Sequence, residues 1–215
     1  MSVSVRFLGT GDAFNARGRC HASYLVTAPS TTLLLDCGAS ALLAMQRDGV
    51  DIDRLDAICL SHLHGDHFCG VAFLLLQATI EHPRRRALTI VGPPGTRERI
   101  AALYAALYPS RAAEPFPFPL RHVEIGDRGE AHAGEFAIGA FRVPHQSREL
   151  SLGFRVGARD RLLVYSGDTA WTPDLLRHAS GADLFLCECT AFETSLRGHV
   201  RYIDLAAHRS SFDCR

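Results

Sequence analysis

The chain is predicted to be an α/β (α+β) protein: two β-sheets packed together, with helices on the outside. Three observations point there. Each half opens with strand-length runs that alternate or are wholly apolar; each half carries its helical spacing late; and Gly, Pro and Asp turns separate the runs. At 215 residues, 47% of them apolar, the chain is long enough for one domain, residues 1–215, with a sizeable core.

In order, Val3 to Leu8 alternates as a half-buried strand and runs into the turn-rich Gly9-Thr10-Gly11-Asp12. Ser23 to Thr27 and Thr31 to Asp36 form a hairpin around Ala28-Pro29-Ser30, and Asp36-Cys37-Gly38 ends it with a carboxylate and a glycine. Ala39 to Asp48 has helical spacing and stops at Gly49. Residues 56–60 read as a buried strand and Gly70 to Ile80 as a helix. Leu88 to Val91 is a further strand. The Gly92-Pro93-Pro94-Gly95-Thr96 loop after it lacks a phosphate-loop pattern, and Thr96 reads as the N-cap of a helix from Arg97 to Tyr108. Residues 109–119 carry four prolines and form a loop. Strands follow at about 121–125, 136–143, 150–156 and 161–166, then a helix near 173–179, a strand from Asp183 to Cys187 and a last helix near 202–209. No repeat, low-complexity tract or linker interrupts this order.

Twenty-three basic residues, all Arg, balance 23 acidic ones. That balance lacks the basic excess expected of a protein that holds a phosphate backbone by counterion release. No secretory signal opens the chain, and its longest apolar run, Val71 to Ile80, is too short for a membrane span of about 20 residues. Seven scattered cysteines without a C-x-x-C pair suit reduced thiols in a cytoplasmic protein, with Cys187 and Cys189 as core residues flanking Glu188.

The chemistry concentrates at Ser61-His62-Leu63-His64-Gly65-Asp66-His67, directly after the 56–60 strand. His62 and His64 lie two apart and can share one ion, while Asp66 and His67, past the Gly65 turn, can aim at a second. Imidazole and carboxylate are ligands that Zn²⁺ takes. A metal pair needs more donors, and the downstream strand ends supply His145 in Val143-Pro144-His145 and Asp168 in Ser166-Gly167-Asp168-Thr169.

The order H-x-H-x-D-H, then a single His, then G-D-T resembles the metallo-β-lactamase-fold hydrolases, most nearly the branch of ribonuclease Z and other phosphodiesterases. The resemblance covers essentially the whole chain and implies a four-layer αββα sandwich. It implies that His62, His64 and His145 hold one metal and that Asp66 and His67 hold a second. Asp168, as the bridge, and Asp66 then serve catalysis as well. Two divalent ions are implied, Zn²⁺ first, with Mn²⁺ or Fe²⁺ as alternatives. Glu188 and His199 are implied to pair near the site and assist proton transfer. The implied activity is hydrolysis by a hydroxide bridging two metals, on a small-molecule or nucleotide-like phosphodiester. A lactone, thioester or other acyl hydrolase on the same metals is the alternative. Asp168 stands where true β-lactamases of this fold carry Cys, and His64 disfavours the di-iron branch with its H-x-E-x-D-H.

Two departures shape the expectation. The gap between His145 and Asp168 holds only a strand pair, so the tRNA-binding arm of ribonuclease Z is absent. The final strand and last His ligand are also missing after Asp213-Cys214-Arg215, so the chain is expected to be C-terminally truncated. An inactive or mono-metal fragment is the reading that follows from that loss, and a homodimer is compatible with it. His21, near the first loop, is a candidate for substrate contact. His82, His122, His132, His178 and His208 read as surface histidines.

Overall fold

Alternation in the first eight residues and the turn chemistry at Ala28-Pro29-Ser30 produce the expected antiparallel start. In the computed structural model, which describes residues 2–81 and 84–215, β1 (Ser4–Gly9) pairs with β2 (Ser23–Thr27), and β2 with β3 (Thr32–Leu35). The Ala28 N–H donates to the Thr31 carbonyl at 2.9 Å and closes the hairpin. His82, read above as a surface histidine, lies outside the described residues.

From β3 onward the sheet turns parallel: β4 (Ala57–Cys59), β5 (Leu88–Gly92) and β6 (Leu120–Glu124) follow in spatial order. Parallel neighbours need long crossovers. These are supplied by α1 (Ala41–Arg47), by α2 (Gly65–Phe68) with α3 (Gly70–Ile80), and by α4 (Thr96–Leu107). Such strands are apolar throughout rather than alternating; Leu33 to Leu35 and Ala57 to Cys59 are all fully buried. Leu34, Ile58 and Ile90 pack with Met45 of α1 and Leu74 and Leu75 of α3 in the core of this part. One buried cation ties its loops together. Arg84 donates to the carbonyls of Ile52 (2.9 Å), Leu55 (2.6 Å), Arg86 (2.7 Å) and Ala87 (2.8 Å).

The chain divides into two compact units, the first ending at Glu124 and the second beginning at Ile125. In the second, β7 (Glu130–Ala133), β8 (Phe136–Arg142), β9 (Leu152–Ala158) and β10 (Arg161–Tyr165) form an antiparallel series. The chain then crosses through α5 (Asp174–Ala179) to β11 (Leu184–Leu186), parallel to β10, and ends with α6 (Tyr202–Ala207). Phe141, Val143, Val164 and Ala182 form a buried cluster here. Beyond α6, Cys214 bridges in parallel to Ala182, and the Gly181 N–H donates to the Asp213 carbonyl at 2.8 Å.

Four local expectations change. β7 was absent from the sequence reading because Glu-Ala-His-Ala carries little β propensity; its pairing with β8 makes it a strand. The helical turn α2 was likewise unread, four residues being too few for a period. Thr96 is not the N-cap. Gly95, at φ 90°, holds that place, while the Thr96 hydroxyl donates to the Pro93 carbonyl at 2.6 Å. Cys189 is exposed rather than core, because β11 ends at Leu186. All seven cysteines are free thiols. No helix among the described residues is long and apolar enough to cross a membrane.

Candidate metal centre

In the parallel part of the first sheet, chemistry gathers at strand ends. Leu35 is in register with Cys59, so the residues just past β3 and β4 emerge side by side. Asp36 follows β3 with φ 57° and is fully buried. Its carboxylate accepts the Ser61 N–H, the Ser61 hydroxyl and the Nδ1–H of His67, each at 2.7 Å. Because the Ser61 hydrogen goes to Asp36, its oxygen is left to accept from Nδ1 of His62 at 3.0 Å. One carboxylate thereby sets the tautomer of two imidazoles: both carry their proton on Nδ1, and both keep a lone pair on Nε2. Such outer hydrogen bonds orient metal-binding histidines and raise their basicity.

The His67 Nε2 lies 3.3 Å from Oδ2 of Asp66. Two acceptors at that spacing repel unless a proton or a cation sits with them. Two ligands at roughly 2.0–2.1 Å from a tetrahedral ion stand about 3.3–3.4 Å apart, so the spacing suits a shared ion. The His62 ring centroid is 4.2 Å from that of His67 and 4.7 Å from that of His64. His62 and His67 are buried, while His64 is exposed. Gly38 makes this convergence feasible: a Cβ there would stand 1.9 Å from the Asp66 carbonyl oxygen.

The second unit repeats the device at the ends of β8, β10 and β11. The Nδ1–H of His145 donates to the Gly198 carbonyl at 2.9 Å, leaving Nε2 at 3.8 Å from Oδ2 of Asp168. Gly198 has φ 82°, and a Cβ on it would stand 3.0 Å from that Nδ1. His199 donates through Nδ1 to Oε1 of Glu188 at 3.0 Å. The same Oε1 accepts the Thr169 N–H at 2.7 Å, and Oε2 accepts the Thr190 hydroxyl at 2.8 Å. Ligand atoms of His145, Asp168 and His199 lie within 4.8 Å of one another. Within the first unit, therefore, His62, His64, Asp66 and His67 come together; within the second, His145, Asp168, Glu188 and His199 do.

His21 is different. It is buried, with Nδ1 accepting the Ser40 N–H at 3.2 Å and Nε2 3.0 Å from Nδ2 of Asn15. Nδ1 serves the fold, and Nε2 lies beside the Asn15 side-chain amide. His122 and His178 are half-buried; burial, then Arg97 and Arg177 respectively, hold their imidazoles below the ordinary range. His208 is half-buried against Trp171, with centroids 4.3 Å apart. Sequence reading missed Asp36, Ser61 and Gly198 as positioning groups. The Asp36-Cys37-Gly38 turn was a visible signal, but its role depends on the β3–β4 pairing.

Residues 3–212 match the family model described as "Anti-Pycsar protein Apyc1". Ribonuclease Z of Lachnoclostridium phytofermentans is 25% identical over 86% of this chain and 74% of its own length. Ribonuclease Z of Mycobacterium sp. (strain KMS) is 31% identical over 84% of this chain and 66% of its own. The chain thus spans about two thirds to three quarters of these relatives. The metallo-β-lactamase fold protein YhfI from Bacillus subtilis superposes with a TM-score of 0.79 at 19% identity, over 100% of this chain and 84% of that one. The fold is that of the metallo-β-lactamases.

Proposed function

The chain belongs to the family of the anti-Pycsar protein Apyc1, as a ribonuclease Z-like hydrolase of the metallo-β-lactamase fold, and on that premise we propose that it cleaves phosphodiesters with two divalent metal ions. In this reading His62, His64 and His145 would hold one ion, Asp66 and His67 would hold a second, and Asp168 would be available to both. The observation that carries it is the carboxylate relay from Asp36. It fixes Nε2 of His62 and His67 as lone-pair donors and leaves the His67 Nε2 facing Asp66 at a spacing that suits an ion. Zn²⁺ fits this imidazole and carboxylate set best, with Mn²⁺ and Fe²⁺ as alternatives. Such ions, when bound, supply Lewis acidity toward a phosphoryl oxygen and acidify water enough to ionise near neutral pH.

The protein's own groups handle orientation and protons. Glu188, held by Thr169 and Thr190, fixes the His199 ring through Nδ1. As a water oxygen bonds to phosphorus and the P–O bond to the leaving group breaks, His199, protonated, would give its Nε2 proton to the leaving alkoxide and recover one from the proton the water sheds, with Glu188 stabilising the imidazolium. The β9–β10 hairpin fills the stretch between His145 and Asp168, which supports a small or nucleotide-like substrate rather than tRNA. Seven free thiols support a cytoplasmic location.

Turnover of bis(p-nitrophenyl) phosphate by the Zn²⁺-loaded chain is the test, with Asp168→Ala expected to lower kcat by about 100-fold or more. Unchanged turnover in that variant sinks the assignment. Two metal ions per chain are expected by elemental analysis. One ion favours the mono-metal alternative, and turnover confined to a lactone panel favours the acyl hydrolase.

A further inference from the structure

Just past β10, the pairing with the neighbouring strand departs from the regular pattern at one side chain. In a parallel ladder, a residue whose N–H donates to one partner carbonyl also accepts, through its own carbonyl, from the partner N–H two residues on. The Ser166 N–H donates to the Leu186 carbonyl at 2.9 Å, so regular pairing would carry the Glu188 N–H to the Ser166 carbonyl. It goes to the Ser166 hydroxyl oxygen instead, at 3.0 Å. The hydroxyl hydrogen is committed elsewhere, to the Gly167 carbonyl at 2.7 Å, which turns a lone pair toward Glu188. Ser166 is fully buried, so either bond is costly to lose.

This exchange of hydroxyl for carbonyl does two things at once. The main chain can leave the sheet at Gly167, whose φ is 58°, and carry Asp168 off the strand end. Glu188, two residues past the end of β11, nevertheless stays fastened to the end of β10. Thr169 and Thr190 hold the Glu188 carboxylate, whereas the Ser166 hydroxyl holds its backbone. The carboxylate in turn accepts from Nδ1 of His199.

We propose that Ser166 is a positioning residue for the proton-donating pair: its hydroxyl fixes the Glu188 backbone where Oε1 meets Nδ1 of His199, and it acts on the reaction through that pair. The inference rests on the phosphodiesterase reading, in which His199 protonates the leaving group. Without the hydroxyl, the Glu188 N–H has the Ser166 carbonyl as its regular ladder partner. Taking it draws the Glu188 backbone out of place and loosens the carboxylate from the imidazole.

The test uses Ser166→Ala in the whole chain, with two readings. The first compares hydrolysis of diphenyl phosphate and bis(p-nitrophenyl) phosphate by Zn²⁺-loaded protein. Phenolate is the more basic leaving group and gains more from a proton donor, so kcat should fall about 10-fold further on diphenyl phosphate. A structural or metal-binding defect lowers both equally. The second reading is the Nδ1 proton of His199 in metal-free, ¹⁵N-histidine-labelled protein, assigned as the resonance absent from His199→Gln. That proton, held by the Glu188 carboxylate in wild type, should move upfield or exchange away in Ser166→Ala. An equal loss on both diesters, no loss, or an unchanged ring resonance overturns the proposal. If the wild type cleaves neither diester, the functional reading fails, and the ring resonance alone decides whether Ser166 positions the pair. Should Ser166→Ala not fold, Ser166→Cys, nearly isosteric but a weak acceptor, takes the same two readings.

Discussion

Asp36→Asn isolates the relay that prepares the metal donors. The substitution keeps size and shape, and Asn tolerates the φ of 57° that Asp36 adopts. What it removes is an acceptor. The carboxylate accepts three hydrogens at 2.7 Å, one of them from the Ser61 backbone, which cannot be reversed. With its oxygen on that N–H, the new amide presents NH₂ to the Ser61 hydroxyl and to Nδ1 of His67. The hydroxyl then turns its hydrogen toward Nδ1 of His62. Both imidazoles are driven to carry their proton on Nε2, where the lone pair is needed. Restoring the binding tautomer leaves a buried donor against a donor, at roughly 1–3 kcal/mol. That agrees with the 10–100-fold loss of affinity, about 1.4–2.7 kcal/mol, typical of lost partners behind a metal ligand. Chelator competition with Zn²⁺ measures the affinity, ¹⁵N shifts of the imidazoles report the tautomers, and thermal unfolding of metal-free protein checks the fold. A folded variant that binds Zn²⁺ within twofold of wild type, its rings still protonated on Nδ1, refutes the relay.

Arg84→Ala should cost about 3 kcal/mol or more by urea unfolding, because it strands four carbonyls that the buried guanidinium now satisfies. Gly38→Ala places a methyl group 1.9 Å from the Asp66 carbonyl oxygen, so it should weaken metal binding more than Gly49→Ala, a turn glycine with open space but positive φ, whose effect should be on stability alone. His122 and His178 are held below the ordinary imidazole value of 6.5 in the folded chain. Unfolding therefore takes up protons on acidification. Their contribution is complete above the unfolded value and is lost as pH falls through the folded ones, with a slope of at most about 1.4 kcal/mol per pH unit for each group. Urea midpoints at pH 7.5, 6.5 and 5.5 should fall less in His122→Gln/His178→Gln than in wild type.

How far these features could be read from sequence follows from the range of the interactions behind them. The helix Gly70–Ile80 and the hairpin of β2 and β3 were readable because their apolar spacing and turn residues are local. His62, His64, Asp66 and His67 were readable because four donors within six positions after a buried strand are rarely accidental. Asp36 was visible only as a carboxylate ending a strand. Its function arises when parallel pairing sets Leu35 beside Cys59 and brings Ser61 and His67, 25 and 31 residues away, to one carboxylate.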